Sequence, residues 1–428
     1  MKRFTWILVL LLSSTFSFSQ KINKLINRAE VERIERILSA DDMEGRKTFT
    51  PGNDKAAAFI AAEFAKSKLK FFGNANSYFQ EFTMTKAKPI EITGFIDTDS
   101  LNSNNVAVNT TAAEININSL KDYEVVVVKK EDDFSKTVFP LFDLKKNILV
   151  LVDTAHTRRF KSMQRFAGNA KFTTGISQVF VLTANLNPSS FSLHVKNQLT
   201  EQKLKNVVGV LPGKTKKDEF VVFSGHYDHL GIGKPDKEQD SVYNGANDDA
   251  AGTTAVMMLA NYFSKLKNNQ RTLIFVAFTA EEIGGFGSRY FSEQLNADKV
   301  MAMFNIEMIG TESKWGTNSA YITGYEKSDF GKILQQNLAG TNFHFEPDPY
   351  PQQNLFYRSD NATLAELGVP AHTISTSKMD NEKFYHTQQD EIETLDMANM
   401  AEIIKSIAIS SKTIISGKDT PTRVVKSE

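Results

Sequence analysis

His226 and Asp228, Asp248 and Asp249, the pair Glu281-Glu282, Glu307 and His386 are the residues of this chain whose types and settings could do chemistry. They lie in five segments: Gly225-His226-Tyr227-Asp228, Asn247-Asp248-Asp249, Glu281-Glu282, Asn305-Ile306-Glu307-Met308 and Tyr385-His386. The chain has only 7 histidines, so finding two of them beside carboxylates or in a polar loop is informative. Zinc takes imidazole nitrogen and carboxylate oxygen, and in a catalytic site it leaves a position open for water. Two histidines and three carboxylates are enough for two ions that share one bridge. The ordered set therefore points to a dispersed metal site suited to hydrolysis.

Each segment also has a plainer explanation. His226 and Asp228 follow the apolar run Phe220 to Ser224, and a separation of two puts both on one face if the strand continues that far. Asp228 would then hold the His226 ring as a carboxylate holds a metal-bound imidazole; a buried histidine with a carboxylate partner is the alternative. Asp248 and Asp249 precede a helix whose N-terminal end favours acidic caps. Two acids and an asparagine among glycines are more than a cap requires, which favours a carboxylate bridging two metals. Glu281 and Glu282 come directly after Leu273 to Thr279, where adjacent like charges need cations or solvent; one of them can bind metal while the other moves protons. Glu307 repeats the pattern after Met301 to Ile306. His386 sits in the polar loop Phe384 to Asp390. His156, His194, His344 and His372 lack comparable settings, and His229 is expected to order the first loop.

The elements that must position these residues are an α/β arrangement. Ile22 to Leu38 and Ala56 to Leu69 have helical spacing. After Asn206, strand, loop and helix alternate: Glu219 to Ser224, Ala250 to Leu266, Thr272 to Thr279, Gly287 to Leu295 and Val300 to Ile306. Further strands are expected at Ala320 to Thr323 and Ala371 to Thr376, with a closing helix at Met397 to Ile415. The alternation predicts a mixed, mostly parallel sheet sandwiched by helices, with chemistry gathered beyond the carboxyl ends of its strands. Residues 86–202 differ in texture, with short β-branched runs between Asn, Ser and Asp clusters, and read as a smaller strand-rich insert. The catalytic domain is thus expected to be discontinuous, at 21–85 and 203–416, followed by a frayed tail at 417–428.

Lys2 and Arg3, the apolar run Ile7 to Leu12 and the small residues up to Ser19 read as a signal peptide over residues 1–20, too short to stay as a membrane span. A periplasmic or secreted location follows. The 428 residues contain no cysteine, so disulfides and a lipid-modified N-terminal cysteine are excluded. Lys+Arg and Asp+Glu both number 50, and losing Lys2 and Arg3 leaves the mature chain slightly acidic, with no electrostatic footprint for nucleic acid.

Gly225-His226-Tyr227-Asp228-His229-Leu230-Gly231, the loop Asn244 to Gly252, Thr279-Ala280-Glu281-Glu282, Asn305 to Gly310 and Tyr385-His386-Thr387 resemble the M28 family of zinc peptidases. Met43-Glu44-Gly45-Arg46, Asn206 to Gly213, Arg358-Ser359-Asp360 and Gly368 to Ala371 add to that resemblance, which spans roughly 24–411. It implies that His226 and Glu307 complete one zinc site, that Glu282 and His386 complete the other, and that Asp248 bridges them. It further implies Glu281 as general base, a cis peptide between Asp248 and Asp249, and a protease-associated-like insert. Together with the Tyr385 hydroxyl as an oxyanion donor, these roles describe an exported two-zinc aminopeptidase acting on peptides. A glutaminyl cyclase-like acyltransferase and a non-catalytic binding protein on the same fold are the rival readings. Glu307 departs from the family, where aspartate is usual.

Overall fold

A computed structural model of the chain describes residues 21–426, so the expected signal peptide lies outside the described residues. The chain divides into two compact units, one of residues 21–81 and 205–426, the other of residues 82–204. No helix among the described residues is long and apolar enough to cross a membrane.

The larger unit begins with α1 (Arg28–Leu38) and α2 (Pro51–Lys66) and then forms β1 (Lys216–His226), α3 (Ala251–Leu266), β2 (Arg271–Phe278), α4 (Phe286–Glu293), β3 (Val300–Ile306), β4 (Ser319–Ile322), α5 (Phe330–Asn337), β5 (His344–Pro347), β6 (Ala371–Ser375) and α6 (Met397–Ser410). Its strands run in the order β5-β4-β6-β3-β1-β2, followed by the end of the strand Phe191–Leu211. β1 pairs in parallel with β2 and β3, and β3 with β6. The Phe191–Leu211 strand and β4 run antiparallel to their neighbours β2 and β6. The expected mixed, mostly parallel sheet flanked by helices is therefore present.

The strands read as unbroken apolar runs because both faces are covered. Val221, Phe223, Leu273, Phe275, Ala302 and Phe304 face one core with α1, α2, α3 and α6, while Val222, Ile274, Val276 and Met303 face a second core on the other side. Phe223 stacks between Phe275 and Phe304, with ring centroids at 5.5 and 4.8 Å, which locks the register of the three central strands. Their carboxyl ends are consequently level. His226 pairs with Phe278, and Ser224 with Asn305, so the residues just past these ends emerge side by side.

The smaller unit has its own four-stranded sheet, in which Ile148–Asp153 lies between Glu124–Val128 and Ser177–Thr183, with Val106–Thr110 at one edge. Two cores flank that sheet, one built on Leu149, Leu151, Val179 and Val181, the other on Val150, Val152, Phe160 and Phe180.

The tail is a correction to the expected fraying. Val424 is buried and its N–H donates to Gly368 O at 3.2 Å, while Arg423 Nη1 donates to Val300 O at 2.8 Å. The cause lies partly in Arg271, which is buried at the start of β2 and donates to Asp419 O, Thr420 Oγ1 and Ile414 O as well as pairing with Glu219. A buried guanidinium needs acceptors, and the polar tail provides them.

Glu35 on α1 is fully buried, with one oxygen accepting from Thr254 Oγ1 at 2.8 Å and the other, Oε1, without a partner. Burial pushes its carboxyl up to about 8. Because the folded value lies above the unfolded one, the native state holds an extra proton between them, and stability falls as pH rises from about 4.5 toward 8. Glu35→Gln is expected to flatten that part of the stability curve, gaining on the order of a few kcal/mol at pH 8 relative to pH 5. Parallel melting-temperature curves for the variant and the natural protein between those two pH values would contradict the assignment.

Candidate active site

The loops leaving β1, β2 and β3 bring the acids together by turning sharply. Ala280, Met308 and His386 adopt left-handed φ values of 62, 48 and 58°, each next to a site residue or itself one. Such conformations cost a non-glycine residue roughly 1 kcal/mol or more, and they persist where surrounding contacts over-determine them. Gly252 allows the closest approach: a Cβ there would sit 2.1 Å from Ile306 O and 2.4 Å from the Asp249 carboxylate.

Two groups of donors meet at Asp248, one with His226 and Glu307, the other with His229 and Glu282, the ligand atoms of each group lying within 4.8 Å of one another. Asp248 Oδ1 is 3.3 Å from His226 Nε2, and Glu307 Oε1 is 3.1 Å from the same nitrogen. On the other side His386 Nε2 lies 3.2 Å from Asp248 Oδ2 and 3.3 Å from Glu282 Oε2. His229 Nδ1 lies 2.6 Å from Glu282 Oε1 and 3.8 Å from Asp248 Oδ2. All five residues expected to bind metal thus converge, and His229 joins them. The His386 side chain is 36% exposed, against 3% for Asp248 and 1% for His226, so the centre opens on that side.

The supports of this centre are mostly backbone donors. Asp249, joined to Asp248 by a cis peptide, accepts from the N–H groups of His226 (3.2 Å), Gly252 (3.0 Å) and Met308 (3.0 Å), tying the ends of β1 and β3 to the start of α3. Asp390 accepts from the N–H groups of Asn247 (2.8 Å) and Asp248 (3.0 Å), so the carboxylate four residues after His386 carries the loop that presents Asp248. The longer arm of Glu307 is held at its tip, because Oε2 accepts from Ser359 Oγ at 2.6 Å. Ser359 in turn receives Asn305 Nδ2 at 2.7 Å, and Asn305 Oδ1 receives Ser224 Oγ at 2.7 Å.

Asp228 differs from expectation. His226 Nδ1 lies 3.0 Å from the main-chain carbonyl of Asp228, whereas the nearer carboxylate oxygen is 3.8 Å away. β1 ends at His226, so the chain turns before Asp228 and brings its carbonyl, in place of its carboxylate, under the ring. The freed carboxylate accepts from the N–H groups of Glu281 (3.1 Å) and Glu282 (3.4 Å) and from Thr48 Oγ1 (3.0 Å). It therefore positions the adjacent glutamates.

The electrostatics show how strongly the centre favours positive charge. Burial pushes Glu281 and Asp249 well up, and Asp360 up to about 7, with neighbouring acids adding to the effect. For His226, burial acts downward, but Glu307 and Asp248 outweigh it and raise the imidazole well above its ordinary value. Contact with Asp248 and Glu282 lifts His386 to about 10. Protons on imidazoles thus stand in for cations. Asp248 Oδ2 and His229 Nε2 are buried without a hydrogen-bond partner, since His386 approaches the oxygen off the hydrogen-bond direction. The orphaned Asp248 oxygen, imidazole and carboxylate chemistry and two groups sharing one acid fit zinc.

Beside the centre lies a cavity of about 70 Å³ lined by Asp248, Glu281, Glu282, Glu307, Tyr385 and Arg358, together with the less polar Met308, Tyr321, Leu355 and Met379. The Tyr385 ring stacks on His386 with centroids 3.9 Å apart, and burial raises its hydroxyl, which stays a neutral donor. The sequence reading missed Asp390, Ser359 and the approach of His229. His229 carried a visible signal, standing one residue after Asp228, and Ser359 one within the family-like stretch Arg358-Ser359-Asp360.

Residues 206–409 match the model of peptidase family M28. The aminopeptidase YwaD of Bacillus subtilis is 23% identical over 211 residues, which is 47% of this chain and 43% of that protein. A probable zinc metalloprotease of Pyricularia oryzae is 35% identical over 113 residues, 26% of this chain and 22% of its own. These matches span less than half the length of either curated relative. Among solved structures, an aminopeptidase from Aneurinibacillus sp. strain AM-1 superposes with a TM-score of 0.55 at 18% identity, covering 95% of this chain and 98% of that one, a likeness in fold.

Zinc binding to such a centre must displace the imidazole protons, so binding releases protons and tightens as pH rises. Titration calorimetry at pH 7.5 in buffers of different ionisation heat is expected to report roughly one to two protons released per chain. Zero release would contradict the raised imidazoles.

Proposed function

Because residues 206–409 match the model of peptidase family M28 and the chain is similar to an aminopeptidase, we propose that it is an exported peptidase with two zinc ions that removes residues from the N-termini of peptides. The observation that carries this reading is Asp248, one buried carboxylate within reach of His226 and Glu307 on one side and of Glu282, His229 and His386 on the other. When bound, zinc supplies Lewis acidity, polarising the scissile carbonyl and acidifying a water.

The chain's own residues do the rest. Glu281 lines the cavity, belongs to neither donor group and is fixed through its N–H by Asp228. Its carboxylate takes a proton from water as the water oxygen bonds to the carbonyl carbon. The same proton then passes to the departing amine as the C–N bond breaks. A carboxyl pushed upward by burial suits a group that must accept and return a proton near neutral pH. The neutral Tyr385 hydroxyl donates to the oxygen on which charge develops. The cavity's acidic lining, Glu307 included, is the surface that takes the free α-ammonium of a peptide. The signal-like residues 1–20 support export, and the separate sheet of residues 82–204 is compatible with a protease-associated-like insert.

Glu281→Gln is expected to retain zinc but lose about 10²- to 10⁴-fold in turnover, whereas Asp248→Ala loses zinc as well. Metal analysis beside peptidase rates checks both, and a fully active Glu281→Gln enzyme would remove Glu281 from the mechanism. Peptides with a free N-terminus are expected to be cleaved and their acetylated counterparts left intact. Equal cleavage of both, or ammonia release from a Gln-peptide without chain cleavage, would overturn the aminopeptidase reading.

A further inference from the structure

Arg46 belongs to neither the donor groups nor the cavity, yet it is completely buried directly behind them. It sits in the connection between α1 and α2, where Glu44, Gly45 and Arg46 are all left-handed, with φ of 55, 60 and 49°. The middle position must be glycine, because a Cβ there would lie 2.5 Å from Tyr243 O and 2.7 Å from Gly231 O. Two consecutive-but-one non-glycine residues in this conformation persist only if something holds them.

The guanidinium does so with four bonds, all to main-chain carbonyls. Nε donates to Tyr227 O at 2.8 Å, Nη1 to Leu38 O at 2.8 Å and to Asn244 O at 2.5 Å, and Nη2 to Gly245 O at 2.9 Å. Tyr227 follows His226, and Asn244 and Gly245 lead into the turn that presents Asp248. One planar group therefore holds the backbone behind both donor loops, and the neighbouring Thr48 grips Asp228 from the same segment at 3.0 Å. A fixed positive charge at this place also faces Glu35, Asp390, Asp248 and Asp228. A lysine cannot substitute, since its compact ammonium offers no fork that reaches four carbonyls.

We infer that Arg46 is a positioning residue of the metal centre, holding the His226 and Asp248 loops at the separation that lets Asp248 serve both groups of donors. The inference rests on the metal-centre reading given above. Removing the fork lets the two loops move independently, so the donors no longer arrive preformed. Supporting groups of this kind typically change metal affinity by ~10- to 100-fold.

The test compares the full chain with Arg46→Lys and Arg46→Ala. Zinc affinity is measured by competition with a chromophoric chelator, the cobalt(II) absorption spectrum reports ligand geometry, and melting temperatures are taken with zinc and with chelator. Both variants are expected to lose ~10- to 100-fold in zinc affinity and to show an altered cobalt spectrum. Millimolar guanidinium is expected to restore part of the affinity to Arg46→Ala and none to Arg46→Lys. Unchanged affinity and spectrum in either folded variant would overturn the inference. So would a destabilisation of both that is equal with and without zinc, total loss of folding included, since Arg46 would then serve the fold alone. Natural protein that binds no zinc would instead overturn the metal-centre reading itself.

Discussion

Like charge gathered beyond the carboxyl ends of the central strands is the constraint on which the rest of this molecule depends. Asp228, Asp248 and Asp249 are buried outright, and Glu282 and Glu307 keep only 8% and 16% of their side chains exposed. Carboxylates so close and so dry cannot all be ionised unless cations or hydrogen-bond donors answer them. Two answers are built in. The chain surrounds the supporting acids, Asp228, Asp249 and Asp390, with backbone N–H groups, and leaves the acids around Asp248 to imidazoles whose protons metal can displace.

The fold serves that division of labour. Stacked Phe223, Phe275 and Phe304 level the carboxyl ends of three parallel strands, so one short turn after each delivers an acid or imidazole to a common point. The turns after β2 and β3 are held in costly left-handed conformations at Ala280 and Met308, as is His386 in its own loop, which fixes the side chains before any ligand arrives. Preorganisation of this kind explains why so much of the surrounding polar network ends on main-chain atoms. The side chains that face the cavity are then free to act on a substrate.

Much of this was legible in the sequence for a physical reason. An acid or imidazole just after an apolar run of strand length is anomalous unless it sits at the mouth of a crevice, and His226, the pair Glu281-Glu282 and Glu307 all carry that mark. Asp390, Arg46 and Ser359 lack that mark, Arg46 and Ser359 standing out only within family-like stretches, because each acts through contacts with residues far away in the chain, such as Arg46 with Gly245, 199 positions on. Asp228 was given the wrong atom: strand periodicity assumes extension, and the chain turns one residue too soon. The tail misled in the opposite sense, since its polar composition suggested fraying while a buried arginine was waiting for its carbonyls. At Glu307 the sequence shows the departure from aspartate but not its accommodation, which lies in the bond from Ser359.

The central claim is that Asp248 joins two metal positions. Anomalous diffraction at the zinc edge from zinc-soaked crystals of this protein measures that most directly. The account predicts two peaks, one within reach of His226 and Glu307, the other within reach of Glu282 and His386, with the Asp248 carboxylate between them. A single peak, or peaks on which Asp248 does not lie, would contradict it.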